Sequence, residues 1–169
     1  MENDEVIIRA LYESDFECLN EIRKSKGVSE YILSLDDETL FQTISYFTDK
    51  QYNKHNYIAE KLCEGRNVVV GYLRLCLDED IRKRHKGKIS IAIANEYHSM
   101  SIGSKLFDYI INLSSNWLML KKLELTVLTK NTNAINLFKS KGFEIEGTLK
   151  FDTVVNGQYE SVYIMSKFL

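Results

Sequence analysis

Proline is absent from the 169 residues, so turns must be set by glycine, asparagine and aspartate. That absence points to no function. Cysteine is scarce and odd in number. Cys18, Cys63 and Cys76 are widely spaced in apolar patterns, so they read as buried small hydrophobes in a reducing compartment, and a metal site is not expected. No apolar run approaches the roughly eighteen to twenty residues of a membrane span. The start, Met1-Glu2-Asn3-Asp4-Glu5, is acidic where a signal peptide is basic. The expectation is a cytoplasmic, soluble protein with no membrane partner. A charge excess is missing too: 22 Lys and Arg against 24 Asp and Glu give a net charge of -2, which excludes an electrostatic footprint for nucleic acid. The basic run Arg82-Lys83-Arg84-His85-Lys86 follows Asp78-Glu79-Asp80 and reads as a solvated loop. What is present is 44% apolar residues, enough for one domain over residues 1–169 with its own core.

In chain order, Val6-Ile7-Ile8-Arg9-Ala10-Leu11 reads as a strand. Ser14 and Glu17 have the spacing of a capping box before a helix whose stripe is Phe16, Leu19 and Ile22, with Gly27 placed to end it. A second helix is expected near Asp36-Asp37-Glu38, where acids suit the helix start, with Leu40, Phe41, Ile44 and Phe47 as its apolar face. A cation site on the same three acids is the rival reading. Tyr57-Ile58-Ala59 and residues 68–75 read as strands joined by the turn-rich Glu64-Gly65-Arg66-Asn67. Residues 122–128 alternate as a further strand, a short helix runs from Ala134 to Lys141 and stops at Gly142, and Trp117 reads as a core filler. Asn156-Gly157 between two alternating stretches signals a type I′ hairpin. The order is strand, two helices, three strands, helix, strand, helix and hairpin, which is α/β with a mixed sheet.

The chain is organised around residues 89–107. Ile89, Ile91 and Ile93 alternate with Ser90, Ala92 and Ala94, leaving one face of a strand with little bulk, as if something must lie close to it. A turn from Glu96 to Gly103 follows, and then Leu106, Phe107, Ile110 and Ile111 set up a helical stripe. The first amides of such a helix lack internal partners and, with the helix dipole, favour an anion such as phosphate. A second cluster lies about thirty residues on, Asn131-Thr132-Asn133-Ala134-Ile135-Asn136-Leu137-Phe138, closing with Lys141-Gly142-Phe143.

Together these segments resemble the GNAT superfamily of acyl-CoA-dependent N-acetyltransferases. Asn131 to Phe143 and the hairpin Val155-Asn156-Gly157-Gln158-Tyr159 are similar to the RimL-like bacterial members that act on amino acids and polyamines. The resemblance implies a GNAT fold: a mixed central sheet of about seven strands, splayed between strands 4 and 5, flanked by about four helices. It implies acetyl-CoA as co-substrate, with Ile91, Ala92 and Ile93 presenting backbone to pantetheine. His98, Ser99, Met100, Ser101, Ile102, Gly103 and Ser104 would wrap the pyrophosphate, and Asn131, Phe138 and Lys139 would contact the cofactor from the next strand and helix. Asn131 is equally a helix cap. Only Gly103 is standard in the family's pyrophosphate pattern; Ser101 stands where a glycine is usual, and its hydroxyl could add to the anion. His98 stands where glutamine or arginine is usual and would be a weaker anchor than arginine.

An acceptor ammonium must lose a proton before attacking the thioester, and the leaving thiolate must then gain one. The family's carboxylate slot is Lys88 here, and its tyrosine slot is Phe138; neither can serve. Three routes remain open: proximity and carbonyl polarisation by strand amides, protons handled by Glu60, Tyr72, Tyr97 or Tyr163, or binding of acyl-CoA without turnover. Arg74 and Lys88, if they face the cleft, would repel a polyamine and attract a carboxylate, favouring an amino-acid acceptor. The expected function is transfer of acetyl from acetyl-CoA to a primary amine of a small molecule by direct attack. The rivals are a protein N-terminal acetyltransferase acting on a ribosomal protein, and a non-catalytic acyl-CoA-binding domain. The resemblance also allows a homodimer.

Overall fold

The computed structural model describes residues 5–49, 53–63 and 65–169. Among them are seven strands, β1 (Val6–Ala10), β2 (Lys54–Cys63), β3 (Arg66–Leu77), β4 (Lys86–Ile93), β5 (Lys122–Leu128), β6 (Glu144–Val155) and β7 (Gln158–Phe168). Five helices accompany them: α1 (Phe16–Lys24), α2 (Ser29–Ile32), α3 (Leu40–Thr48), α4 (Ile102–Asn116) and α5 (Thr132–Ser140). The sheet order is β1-β2-β3-β4-β5-β7-β6. β4 and β5 are parallel, whereas β1 with β2, β5 with β7 and β6 with β7 are antiparallel. The expected mixed sheet is therefore present. The parallel ladder runs from Lys86↔Lys122 to Lys88↔Glu124; residues 89–93 of β4 continue without pairing to β5. Contacts divide the chain into two compact units, Met1–Leu75 with Ser90–Leu106, and Cys76–Ile89 with Phe107–Leu169.

In the first unit the α1 stripe behaves as its spacing requires. Phe16, Leu19 and Ile22 are buried with Val28, Phe47, Ile58, Tyr72, Ala92 and Ala94, and each large side chain contributes about 1.5–3 kcal/mol on burial. The start of α1 differs from expectation. Ser14 and Glu17 form no capping box, because a 3-10 turn over Glu13–Asp15 precedes the helix and the Asp15 carboxylate accepts from the Tyr12 amide at 2.7 Å. The second predicted helix forms as α3, a few residues later than expected. The short α2 was not anticipated, and α3 begins only after Thr39, whose hydroxyl accepts from the Gln42 amide while the Gln42 side chain accepts from the Thr39 amide. Its buried face is Thr43 and Phe47; Phe41 is 76% exposed and Leu40 is also exposed. Ile44 packs against the core as its spacing requires, so only the first-turn residues Leu40 and Phe41 depart from the expected face. Glu38 is not a helix-start acid either: it is buried and paired with Arg23. Glu64 of the predicted turn lies outside the described residues.

The small side of β4 also has a packing reason. Ala92 and Ala94 belong to the core of this unit, and Gly71 of β3 approaches so closely that a Cβ there would sit 2.8 Å from the Ala92 carbonyl oxygen.

In the second unit Leu123, Leu125 and Val127 point inward from β5, and Phe107, Phe138 and Phe143 pack ring to ring with centroids 5.3 to 6.3 Å apart. Asn156 and Gly157 have φ of 51° and 75°, the left-handed pair that a type I′ turn needs. Trp117 is 77% exposed, not a core filler, because α4 ends at Asn116 and carries it past the stripe. The cysteines are free, with Cys18 exposed and Cys63 and Cys76 half-buried, so they are not the buried hydrophobes their neighbours suggested.

Candidate active site

The turn between β4 and α4 is built stepwise. The Ala94 amide donates to Val70 of β3 at 2.9 Å, fixing the end of β4, and a 3-10 turn over Asn95–Tyr97 follows. Ser99 and Ser101 then adopt φ of 71° and 58°, left-handed conformations that cost a non-glycine residue about 1–2 kcal/mol each. Strain of this kind is kept where the surrounding structure requires it, and sites of ligand contact are the usual places. The chain next enters α4, whose first internal bond runs from the Lys105 amide to the Ser101 carbonyl at 3.1 Å. The amides of Ile102, Gly103 and Ser104 precede that bond and so lack internal helical partners. Ile102 and Gly103 are buried, while Met100 is exposed with its sulfur 3.7 Å from the Lys61 ammonium. The His98 ring lies against the turn itself, its Nε2 donating to the Ile93 carbonyl at 3.0 Å. Ile91 and Ile93 are half-buried.

The remaining candidates divide by unit. Asn131 caps α5, its side-chain oxygen accepting from the Ala134 amide at 3.2 Å. Phe138 is 5% exposed, inside the aromatic trio, and Lys139 is exposed. Lys88 is exposed at the last pair of the β4–β5 ladder. Tyr163 is half-buried in β7, opposite Val127 and Thr148. In the first unit Glu60 accepts from Arg9 at 3.1 and 3.3 Å, so its carboxylate is engaged. Tyr72 is 1% exposed and accepts from Arg23 at 2.8 Å; its burial pushes the phenol above its usual range and keeps it protonated. Tyr97 is also pushed up, chiefly by its contact with the Cys63 sulfur at 3.8 Å. It lines a cavity of about 930 Å³ together with Glu17, Glu21 and Glu96.

One cluster had no place in the sequence reading. Arg23 makes a bidentate pair with buried Glu38, which also accepts from Thr43, and Asn20 donates to Thr43 and to the Glu38 carbonyl. The signal was available: Asn20 and Arg23 follow Phe16 at four and seven positions, on the buried side of α1.

A match to the Acetyltransferase (GNAT) family over residues 9–143 covers most of the chain, including the turn, both its flanking elements and the Asn131 cap. The chain belongs to the GNAT acetyltransferase family. It is 34% identical over 99 residues to the L-amino acid N-acetyltransferase AaaT of Escherichia coli K12, covering 59% of this chain and 61% of AaaT. It is 25% identical over 179 aligned residues to the spermidine N(1)-acetyltransferase of Vibrio cholerae, covering 99% and 97% of the two chains. Among solved structures, the Vibrio cholerae spermidine N-acetyltransferase in complex with CoA and spermine superposes with a TM-score of 0.84 at 21% identity, covering 98% of this chain and 96% of that one. The ribosomal-protein-alanine N-acetyltransferase of Brucella melitensis gives 0.82 at 24% identity, covering 96% and 99%. At these identities the structural neighbours show the fold.

Acetyl-CoA is the acyl donor of this family, and the residues present fit it on two counts. The strained serines and unpaired α4 amides offer an anion site, and β4 runs beyond its ladder with backbone groups not taken up by β5. Among the described residues no three histidine, cysteine or carboxylate side chains converge to hold a metal ion, and no helix is long and apolar enough to cross a membrane.

Proposed function

We propose that the protein transfers the acetyl group of acetyl-CoA to the primary amine of a small molecule. The observation that carries this is the turn with Ser99 and Ser101 both left-handed directly before the open amides of a fifteen-residue helix. Residues Ser99 to Ser104 would hold the pyrophosphate through amide N–H groups, with the serine hydroxyls as further donors. Backbone of Ile91 to Ile93 would align the pantetheine arm. Acetyl-CoA supplies the thioester; the chain orients it beside the amine. The ammonium first gives one proton to solvent; the neutral nitrogen then forms the new C–N bond, the C–S bond breaks, and the second proton lost by nitrogen ends on the CoA thiolate by way of solvent. Orientation in a ternary complex can supply about 7–11 kcal/mol of the barrier.

Binding without turnover is the second reading, and one observation favours it: Phe138, which the family resemblance matches to the proton-donor slot, has no proton to give and is sealed in the aromatic trio. Thermal stability with and without acetyl-CoA, read beside thiol release over amino acids, polyamines and peptide N-termini, separates them. A raised Tm with release on a free amine supports the transferase, release on peptides alone moves the assignment to protein termini, and a raised Tm with no release on any amine replaces it with the binding reading. The proposal includes a cytoplasmic location, supported by three free thiols, and a homodimer, to be read by light scattering.

A further inference from the structure

Two guanidinium groups of the first unit stack on the same tyrosine, and only one of them has a carboxylate partner. Arg23 and Arg74 lie 3.9 and 3.6 Å from the ring centroid of Tyr46. Arg23 is fully provided for. Its Nε and Nη2 donate to the two oxygens of Glu38 at 2.7 and 2.9 Å, and its Nη1 to the Tyr72 hydroxyl. Glu38 is then saturated, since Thr43 also donates to it at 2.7 Å. Arg74 is different. Its Nη1 donates to the Tyr46 carbonyl, its Nε is buried without a partner, and no carboxylate among the described residues pairs with it.

A tyrosine face and a peptide carbonyl orient a guanidinium without cancelling its charge. A half-buried cation left in that condition is costly unless an anion completes it. The side of Arg74 left over is its Nε–Nη2 edge, and that edge fits a carboxylate through two parallel N–H···O bonds. Lysine could not present such an edge. Stacking on Tyr46 and the Nη1 bond hold the fork in one plane, so little rotamer freedom is lost when an anion arrives. The position also suits an acceptor. Arg74 lies on β3, which neighbours β4 in the sheet, and Val70 on the same strand holds Ala94 at the end of β4.

We infer that Arg74 is the residue that selects the acceptor, taking the carboxylate of an amino acid whose amine is acetylated. This rests on the transferase reading above. A polyamine has no anion to offer and meets a second positive charge here. Nε is out of contact with solvent, so the carboxylate must displace what covers it, and the discrimination should appear in KM for the acceptor more than in kcat.

The test compares the parent chain with Arg74→Gln and Arg74→Lys, using L-leucine and L-lysine beside isopentylamine and cadaverine, which lack the carboxylate, and spermidine. Calorimetric binding of the same ligands in the presence of CoA is measured in parallel. The parent should favour the amino acids over their decarboxylated counterparts by about 10- to 100-fold in kcat/KM. Arg74→Gln should raise the amino-acid KM by a similar factor, leave KM for acetyl-CoA and for the plain amines unchanged, and be partly rescued by Arg74→Lys. A rise in the acetyl-CoA KM instead would give the anion to the donor's phosphates and overturn the inference. So would preferred acetylation of spermidine or the plain amines, or amino-acid binding that ignores Arg74. If no amine is acetylated, the transferase reading fails by itself, and the calorimetry still decides Arg74 by whether amino-acid binding depends on it. Should Arg74→Gln not fold, the parent's preference between each amino acid and its decarboxylated amine decides the question.

Discussion

Gly71 to Ala is the most direct probe of how β4 is held. Gly71 does not have a positive φ, so its need is for space. A Cβ would stand 2.8 Å from the Ala92 carbonyl oxygen, and 3.2 Å from both Cα and Cγ1 of Ile93. Two of those three atoms are backbone, so no rotamer change can clear them, and β4 has to move by about half an ångström. Overpacking of this kind costs about 1–3 kcal/mol. In a chain of this size each kcal/mol lowers Tm by about 2–4 °C, so a fall of about 2–12 °C is expected in differential scanning fluorimetry. The displaced residues are those proposed to align pantetheine, so acetyl-CoA affinity should fall about tenfold as well. Gly147→Ala is the control, because a Cβ there meets nothing within 4 Å and the loss of unfolded-state freedom should leave it equal or slightly more stable. A Gly71→Ala protein that melts within about 1 °C of its parent would refute the close approach. One that loses stability but keeps its acetyl-CoA affinity would remove β4 from the donor site.

Ser101→Gly relieves about 1–2 kcal/mol of left-handed strain and gives back about 0.5–1 in unfolded-state entropy, so Tm should rise by up to about 6 °C with acetyl-CoA affinity retained; a loss beyond about tenfold would assign the hydroxyl to the anion. Phe138→Tyr buries a hydroxyl with no partner among Phe107 and Phe143, and should cost about 1–3 kcal/mol with no gain in turnover; a tenfold faster enzyme would contradict this placement. Burial opposes the charge on Glu38, but hydrogen bonds from Arg23 and Thr43 prevail and hold its carboxyl below the usual 4.5. A depressed folded pKa means the unfolded chain binds the proton more readily, so this stabilisation is full above about pH 4.5 and drains away as pH falls through the folded value. Glu38→Gln should flatten that part of the acid limb of urea midpoints and, by leaving Arg23 uncompensated, cost about 3–5 kcal/mol. Gly157→Ala, at φ of 75°, should lower Tm by about 2–4 °C without touching acetyl-CoA binding.

Much of the architecture was legible because it is written locally. β5 matches its alternating run from Lys122 to Leu128, and the Asn156-Gly157 turn follows from the two residues that tolerate positive φ most readily. The buried stripe of α1 follows from its spacing. The failures were of another kind. Trp117 and Phe41 are apolar and sit near periodic positions, yet whether such a residue is covered depends on where a neighbouring element ends. The Ser14 and Glu17 pair has the right spacing for a cap and was displaced by an Asp15 carboxylate already turned to the Tyr12 amide.

For the site, the sequence by itself determined where the strand, turn and helix start proposed to bind the anion lie and which family the chain belongs to, because backbone donors need only those three elements in that order. It also set the expectation, from resemblance, that the two usual proton-handling slots hold Phe138 and Lys88. Only the tertiary structure decided the conformation of Ser99 and Ser101, the close approach of Gly71 to Ala92, and the balance of two guanidiniums against one carboxylate. Arg23 and Glu38 are fifteen positions apart and Arg23 and Tyr72 forty-nine. Charge compensation over such separations is a property of which helices pack on which strands, and no local pattern of residues encodes it.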